Sequence, residues 1–407
     1  MTTKTKNIAV TCIMAVFFLG ISIACLLKPE ADFSYSERRK LAQLPELSLE
    51  TVRSGAFMTD FEAYTQDQFP FRDSFRTVKA VSTFYVFGQK DNHDVYLADG
   101  YASKLEYPVN EASMDRAAER FAYVYDKYLA DSDGKVYFSI IPDKNYFLAE
   151  KNGYLSMDYD AFFRQMQEKT DFMEYIDITG LLSIEDYYKT DTHWRQEKLV
   201  PVSQAIAGEM GVTLTGEYEE RILDHPFYGV YYGQSALPLR AEEIRYLTND
   251  VLESCVVYDY ENGKNITVYD WEKAYGKDPY EMFLSGSLSL LTIENPKASA
   301  DKELILFRDS FGSSIAPLFA EGYSKITLVD IRYMQSGLLG KFLEFEDQDV
   351  LFMYSSLVLN KNLIYTAISR AKKKLVIIGT RQLFKEGLIK EMKRRNTGLK
   401  ELLKYEK

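Results

Sequence analysis

Cysteine is scarce in this sequence, which has three among 407 residues. Cys12 and Cys25 lie inside one apolar run near the N-terminus, so Cys255 is the single thiol elsewhere in the chain. A disulfide framework needs an even set of spaced cysteines, and a structural zinc site of this kind needs several cysteine ligands. The sequence therefore excludes both, and no metal or other cofactor is expected.

A loop that cradles nucleotide phosphates is also missing. Such a loop requires a Gly-Lys pair followed by Ser or Thr. The chain has four Gly-Lys pairs and none is followed by either residue; they stand at 134–135, 263–264, 276–277 and 340–341. The sequence therefore does not support an ATPase of this class.

Positive charge is in deficit over most of the chain, although the whole carries a formal net charge of only −11. Residues 1–360 have 35 positive and 56 negative side chains, whereas residues 361–407 have 14 Lys and Arg against four Glu. An acidic body repels nucleic acid and anionic surfaces at long range. The change of sign indicates a boundary near residue 360, and no nucleic-acid partner is expected.

Apolar and aromatic residues are abundant, at 46% and 14% of the chain. This composition excludes a disordered or low-complexity protein and is sufficient for one large domain or two ordinary ones. We expect a main domain over residues 29–360, preceded by an N-terminal segment at 1–28 and followed by a basic tail at 361–407.

The N-terminal segment contains an uncharged run of 20 residues, Ile8 to Leu27. About 20 apolar residues are needed to cross ~30 Å of hydrocarbon. Lys4 and Lys6 precede the run, which favours a cytoplasmic N-terminus and an external body. The pattern predicts a single-pass anchor in the cell membrane.

Two other interpretations of this run stay open. A cleaved signal peptide usually has a shorter apolar core of ~7–15 residues that ends in a small-residue site, which is not evident here. A lipidated signal ending before Cys25 would have Leu where Ser22 stands. A buried core helix is the least favoured alternative.

Apolar strands alternate with helical runs near the end of the body. The predicted strands are Glu303–Phe307, Lys325–Asp330 and Asp349–Tyr354, with helical spacing at Ile315–Glu321 and Met334–Phe345. Strands that are apolar throughout indicate a parallel sheet covered on both faces. A further buried strand is predicted at Val136–Ile141, and the alternating, Tyr-rich residues 215–300 predict an antiparallel insertion. The fold class is therefore α/β.

Ser310 directly follows the strand at 303–307, within the sequence Arg-Asp-Ser-Phe-Gly. A sharp turn from a strand into a helix exposes a serine hydroxyl, and the N–H groups at the start of the helix can bind an oxyanion. Serine also caps helices often, so a purely structural role stays open. Ser310 is our candidate nucleophile.

His193 lies in Thr-Asp-Thr-His-Trp, two residues after Asp191. In an extended segment, both side chains can point to the same side. Asp191 is then placed to orient His193 as the base for Ser310, and Trp194 to form a wall that keeps the site dry. A surface histidine beside a capping aspartate is the alternative. His93 is expected in a solvated loop and His225 in a substrate-binding loop.

Several segments together resemble the DHHW family of bacterial cell-surface proteins, which is related to alginate O-acetylation proteins and to SGNH-type hydrolases and acyltransferases. They span roughly residues 33–359 and are SERRKLAQLPEL, DQFPFRDSF, YFSIIPDKNYF, YYKTDTHW, FYGVYYGQSAL and ILFRDSFGSSIAPLF. The resemblance implies an SGNH-like parallel sheet and assigns the catalytic triad to Asp191, His193 and Ser310.

The chain departs from the family pattern at two positions. Thr192 stands where the family name has its first His, but the catalytic second His is retained as His193. Arg308 replaces the Gly of Gly-Asp-Ser, which can alter the oxyanion hole and place a cation beside it. Arg308 and Gly312 are therefore oxyanion candidates.

The resemblance implies an O-acyltransferase or an esterase that acts on a cell-envelope polysaccharide and receives its acyl group from a donor molecule or protein. Tyr228 and Tyr232 are candidates for contact with sugar rings, although tyrosines commonly serve only in packing. Transfer and hydrolysis differ in the acceptor alone, and the sequence does not separate them. A catalytically silent surface protein that binds a glycan or a partner is the alternative.

The basic tail resembles the last motif of RecD/UvrD-type helicases, over Tyr365 to Lys372. The resemblance places Arg370 on a nucleotide phosphate. Without the phosphate loop, we expect the tail to be a non-functional fusion; a nucleic-acid-linked role is the weak alternative.

Overall fold

The computed structural model describes residues 2–132 and 134–361. The helicase-like tail, including Arg370, lies outside these residues. The first element is helix α1 (Thr3–Leu27), whose N-terminus is capped by the Thr2 side chain. None of its residues is buried, and within the described chain it is the one helix long and apolar enough to cross a membrane. It contains the predicted run and is a candidate membrane span.

Helices of the body are mostly short, and two of them continue as one turn of π-helix at Ser82–Val86 and Tyr125–Leu129. In chain order the further α-helices are α2 (Leu49–Ser54), α3 (Ala56–Asp67), α4 (Arg72–Val81), α5 (Glu111–Val124), α6 (Lys144–Leu148), α7 (Tyr159–Lys169), α8 (Val200–Glu209), α9 (Val230–Ser235), α10 (Asp250–Ser254), α11 (Trp271–Ala274), α12 (Gly312–Ile315) and α13 (Ser356–Leu359).

Short 3-10 helices of one or two turns connect many of these elements. They are Glu150–Asn152, Thr179–Leu181, Ile184–Asp186, Gln196–Lys198, Pro279–Met282, Ala316–Glu321 and Ser336–Lys341.

The strands, in chain order, are β1 (Phe33–Ser34), β2 (Arg39–Lys40), β3 (Asp91–Asn92), β4 (Val95–Ala98), β5 (Tyr101–Lys104), β6 (Val136–Ile141), β7 (Glu174–Tyr175), β8 (Glu219–Phe227), β9 (Glu242–Thr248), β10 (Val256–Asp259), β11 (Lys264–Ile266), β12 (Leu290–Glu294), β13 (Glu303–Arg308), β14 (Lys325–Val329) and β15 (Asp349–Ser355). Eight of them form the central sheet in the order β11-β10-β12-β14-β13-β15-β6-β7.

The middle of the central sheet is parallel. Strands β14, β13, β15, β6 and β7 all run in one direction, and helices cover them, as an α/β fold requires. The predicted fold class is confirmed. The strands expected at 136–141, 303–307, 325–330 and 349–354 are present within one residue at each end.

The core lies on both faces of this sheet. Along β13, Leu304 and Leu306 pack into one apolar cluster while Ile305 and Phe307 pack into another. Successive side chains of a strand point to opposite faces, so an unbroken apolar sequence fills two cores at once. Phe307 stacks on Phe352 of β15 at a centroid distance of 4.3 Å, within the second cluster.

The Tyr-rich region 215–300 is antiparallel, and it divides between two places. Strands β8 and β9 form a separate two-stranded ribbon, while β10, β11 and β12 extend the central sheet from the edge of β14. The helix expected at Met334–Phe345 is reduced to a 3-10 turn, Ser336–Lys341. Gly337 and Gly340 lie in that turn, and each glycine costs an α-helix about 1 kcal/mol relative to Ala.

Neighbouring strands of the sheet end in polar residues at the same edge. Asp309 and Ser310 follow β13, Ser355 and Ser356 stand at the end of β15, and Asp143 follows β6 by two residues. Because the carboxyl ends of adjacent parallel strands meet at one edge, the fold brings these polar groups together.

Candidate active site

The turn after β13 is built around a buried carboxylate. One oxygen of Asp309 accepts the Phe311 N–H at 3.0 Å, and the other accepts the Ser355 N–H at 2.8 Å and the Ser355 hydroxyl at 2.6 Å. Asp309 is fully buried, whereas Ser310 is half-buried. Asp309 thus fixes the turn to β15 and leaves the next side chain at the surface. Asp309 was not among the predicted site residues, although an acidic residue directly after a buried strand was a usable signal.

The structure brings together the three residues that the sequence analysis placed in a triad. His193 Nε2 lies 2.8 Å from the Ser310 hydroxyl, and His193 Nδ1 lies 2.6 Å from a carboxylate oxygen of Asp191. The backbone N–H of His193 donates to the same oxygen at 3.1 Å. Residues 117 positions apart are thus joined in one hydrogen-bonded chain. Their catalytic roles stay a prediction.

Asp191 is buried and held from two further directions. Its second oxygen accepts the Val230 N–H from the start of α9 at 2.8 Å, and the Arg38 guanidinium lies 3.7 Å away. Burial by itself acts to raise the pKa of Asp191, but the hydrogen bond and charge of His193, with Arg38 and the Val230 N–H, hold this pKa well below its usual range. The carboxylate is therefore negative at neutral pH.

The His193 ring is held between two aromatic side chains. It stacks on Tyr280 at 3.9 Å with an interplanar angle of 12°, and the ring of Phe311 is 4.9 Å away. The Tyr280 hydroxyl lies 2.9 Å from the hydroxyl of Ser314 on α12. These contacts leave the imidazole little freedom to rotate away from Ser310. Tyr280 comes from the antiparallel region, and nothing in its local sequence predicted this position.

Trp194 was predicted to form a wall that keeps the site dry, but the structure places it beneath the surface. It is fully buried, and its indole N–H donates to the Phe311 carbonyl at 3.1 Å and to the Ser314 hydroxyl at 3.0 Å. Its position beneath the surface links the Asp191–Trp194 loop to the Ser310 turn. The indole therefore positions the two halves of the triad relative to each other.

Arg308 also lies away from any substrate. Its side chain is fully buried, with the guanidinium donating to the carbonyls of Asp309, Gly286 and Leu288 at 3.3–3.4 Å. The prediction that it stabilises an oxyanion is corrected, because a bound acyl group cannot reach it. Gly312 packs directly on it: a Cβ at Gly312 would lie 2.6 Å from Arg308 Cβ.

The N–H groups expected to form the oxyanion hole are mostly occupied. Phe311 N–H donates to the Asp309 carboxylate, Gly312 N–H to the Asp309 carbonyl, and Ser313 N–H to the Ser310 carbonyl. The Ser310 N–H has no partner among the residues the structure describes. It is the backbone donor left for an oxyanion, so Gly312 does not serve as predicted.

The remaining sequence candidates are dispersed. Tyr228 and Tyr232 have ring centroids 4.6 Å apart, and the Tyr228 carbonyl accepts a 2.7 Å hydrogen bond from Arg38, so this pair borders the Asp191 side of the site. His225 lies in strand β8 rather than in a loop, beside Tyr275. His93 is exposed in a tight turn with left-handed backbone, as the loop prediction implied.

A fully buried lysine supports the triad loop from below. Lys144 follows β6, and its ammonium donates to the carbonyls of Tyr188 at 2.9 Å and Lys189 at 3.2 Å. It also lies 4.9 Å above the Tyr231 ring. Burial lowers the pKa of Lys144 to about 7. Lys144 was not predicted as a site residue, although its position in Pro-Asp-Lys, directly after a buried strand, could have indicated it.

Comparison of this structure with solved structures identifies relatives of the same fold. A DHHW family protein from Eubacterium siraeum aligns with a TM-score of 0.55 and 19% identity, over 66% of this chain and 92% of that one. This chain has the fold of a DHHW family protein. The resemblance drawn from the sequence is thereby confirmed for the fold.

Two further solved proteins align with this chain. Bacillus cereus PatB1 aligns with a TM-score of 0.52 and 16% identity over 66% of this chain and 98% of that one, and PatB1 has also been solved with a sulfonyl adduct. The O-acetyltransferase domain of Pseudomonas putida AlgJ aligns at 12% identity over 65% and 92% of the two chains, with a TM-score of 0.41 too low to bear on this chain. No family model and no curated protein matches the sequence.

Proposed function

We propose that this protein is a membrane-anchored, extracytoplasmic O-acyltransferase or esterase that acts on a cell-envelope polysaccharide. The observation that carries the proposal is the position of His193, within hydrogen-bond distance of both Ser310 and Asp191. A histidine oriented by a buried carboxylate and bonded to a half-exposed serine is the arrangement that acyl transfer requires.

The reaction proceeds in two halves. His193 Nε2 takes the proton of the Ser310 hydroxyl as its oxygen attacks the acyl carbon, and Asp191 stabilises the resulting imidazolium. The tetrahedral oxyanion accepts a hydrogen bond from the free Ser310 N–H. His193 then returns the proton to the leaving group, and the acyl group remains on Ser310.

The second half uses the same residues in the opposite order. An acceptor hydroxyl gives its proton to His193 and attacks the acyl-serine, after which His193 returns the proton to Ser310. Water as acceptor gives hydrolysis, and a sugar hydroxyl gives transfer. The exposed Tyr228 beside Tyr232 offers aromatic faces on the Asp191 side of the site, where a sugar ring would stack.

The candidate span α1, with Lys4 and Lys6 before its apolar run, supports the proposed location of the body outside the cytoplasm. The acyl donor must then be available on that side of the membrane, either as a donor molecule or on a donor protein.

Turnover of an aryl acetate by the full chain in detergent tests the proposal, with a sulfonyl fluoride as the covalent probe of Ser310. We expect Ser310→Ala to reduce turnover by about 10³-fold or more and to abolish the sulfonyl adduct seen by mass spectrometry. Ser324→Ala is the matched control, because Ser324 is a half-buried serine just before β14, at the opposite end of the sheet. An oligosaccharide acceptor added to the assay separates transfer from hydrolysis.

Equal turnover and equal labelling of wild type and Ser310→Ala would overturn the serine mechanism. The protein would then be better described as a catalytically silent surface protein that binds a glycan or a partner.

A further inference from the structure

An exposed apolar surface begins at Leu44, 17 residues after the candidate span ends at Leu27. Residues 44–87 present twelve large apolar side chains to solvent, whereas the described residues in 88–361 present thirteen in a segment about six times as long. The twelve are Leu44, Leu47, Leu49, Val52, Met58, Phe61, Phe71, Phe75, Val78, Tyr85, Val86 and Phe87, and we call them the apolar face. Soluble surfaces rarely gather so many apolar side chains without a partner.

Helix α4 shows that this face is oriented outward by the fold. In an ordinary surface helix, the apolar stripe faces the core and the charges face water. In α4 the reverse holds, because Phe75 and Val78 are 48% and 62% exposed while Arg72 and Arg76 are only 17% and 20% exposed. Phe71, Phe75 and Val78 have the spacing of one helical face.

The charged side of α4 is bound to the body. Arg72 pairs with Glu37 at 2.6 Å, and Arg76 pairs with the same carboxylate at 3.2 Å. Arg76 also donates to the Gly233 carbonyl, in α9, at 2.7 Å. These polar contacts hold the charged side of α4 against the body, and Phe75 and Val78 lie on the opposite, exposed side.

Helix α3 is joined to the end of α1. Gln68, which directly follows α3, accepts from the Ala31 N–H at 3.0 Å and donates to the Ala31 carbonyl at 2.8 Å. Lys28, which directly follows α1, donates to the same side chain at 3.3 Å, and Tyr64 of α3 donates to Glu30. A 12-residue helix is about 18 Å long. Every residue of α3 therefore lies within about 18 Å of the contact between its C-terminal end and the end of α1.

We infer that the apolar face lies on the outer surface of the lipid bilayer, with the side chains of α3 and α4 in the headgroup region. This inference rests on the part of the proposed function that treats α1 as a membrane span. Where α1 leaves the bilayer, the C-terminal end of α3 lies within contact distance of it. A membrane that contains α1 therefore lies beside α3 as well. The face would hold the catalytic body in a fixed orientation to the membrane.

Depth measurement with nitroxide labels tests this orientation in full-length protein reconstituted into phosphatidylcholine vesicles. Labels are attached at Phe61→Cys or Val78→Cys, with Leu155→Cys and Phe342→Cys as controls, because these are exposed apolar residues elsewhere in the body. Cys12→Ser and Cys25→Ser remove the exposed thiols, and Cys255 is buried.

Collisions with oxygen, which concentrates in the membrane, are compared with collisions with a water-soluble nickel chelate. We expect the oxygen-to-nickel ratio at 61 and 78 to exceed that at 155 and 342 by about fivefold, since interfacial helices bury their apolar side ~5–10 Å deep. Equal ratios at all four positions would overturn the inference. The inference would also be overturned if the labels at 61 and 78 were protected from both oxygen and nickel and showed spin–spin broadening. That result would indicate that a second copy of the chain covers the apolar face.

Acyl-ester turnover is measured on the same preparations. Water-exposed labels on active protein would refute the apolar face as a membrane contact and leave the serine mechanism intact. Inactive protein with buried labels would refute the mechanism and leave the orientation intact.

Discussion

Replacing Asp191 by Asn is the substitution whose effect the geometry determines most closely. Both carboxylate oxygens of Asp191 accept hydrogen bonds: one from the His193 ring and backbone at 2.6 and 3.1 Å, the other from the Val230 N–H at 2.8 Å. An asparagine amide has one oxygen and one NH₂ group, so it cannot accept at both sides.

Each orientation of the amide has its own cost. With NH₂ towards Val230, a buried N–H loses its acceptor, which costs about 1–3 kcal/mol. With NH₂ towards His193, the ring must carry its proton on Nε2 and can no longer accept the proton of Ser310. Asp191 is 1% exposed and Tyr280 stacks on the His193 ring at 3.9 Å, so a lost hydrogen bond is not readily replaced by one to solvent.

We therefore expect Asp191→Asn to lower kcat by about 10²–10⁴-fold, the contribution of a general base, with little change in KM. The assay is steady-state turnover of an aryl acetate. Asp259→Asn is the matched control, because Asp259 is a buried aspartate that accepts backbone N–H groups at the end of β10, remote from the triad in the sheet. If Asp191→Asn retained wild-type kcat while Ser310→Ala lost it, Asp191 would have no role in orienting the base.

Two further substitutions test the supports of the site. Gly312→Ala places a Cβ 2.6 Å from Arg308 Cβ, and we expect it to destabilise the protein by about 1–3 kcal/mol and to displace Ser310, as read from urea unfolding and turnover. Lys144→Met tests the buried lysine. The pKa of Lys144 is about 7 in the folded protein, which is below its value in the unfolded chain. The unfolded chain therefore binds more protons above pH 7, so the free energy of unfolding of the wild type rises between pH 7 and 9. The Met variant should lack this rise, up to about 1.4 kcal/mol per pH unit, and equal slopes for both proteins would show that Lys144 is not titrating there.

The sheet and the triad residues were predictable because their signals are local. The strand Val136–Ile141 is apolar at every position except Ser139, and β13 to β15 are mainly apolar runs separated by turns, so local composition alone locates them. Asp191 and His193 stand two positions apart, and Ser310 follows a buried strand. Each of these patterns is contained within about ten residues.

The residues that hold the triad in place were not predictable, because they come from segments distant in the sequence. Arg308 looks like an oxyanion ligand in the sequence because it is two residues from Ser310, yet its guanidinium is held by carbonyls of Gly286 and Leu288, from a loop some 20 residues earlier. Tyr280 reaches the triad from a segment outside the family-like motifs, and nothing in the local sequence around Arg38 indicates its contact with Asp191. A local pattern identifies a reactive group, whereas burial and partners depend on tertiary packing.

The distribution of these supports bears on how the site assembles. His193 is fixed by Tyr280 and Asp191 by α9. Trp194 is fixed by the Phe311 carbonyl and the Ser314 hydroxyl, while Lys144 of α6 holds the loop from below. An isolated β-bridge joins Tyr187 to Trp194. The triad loop, between these two residues, contains no helix or strand. Its geometry must therefore come from the tertiary contacts, so the hydroxyl, imidazole and carboxylate reach bonding distance only when the sheet edge, α9 and the antiparallel region have all packed. A single support lost should thus change turnover before it changes the global fold.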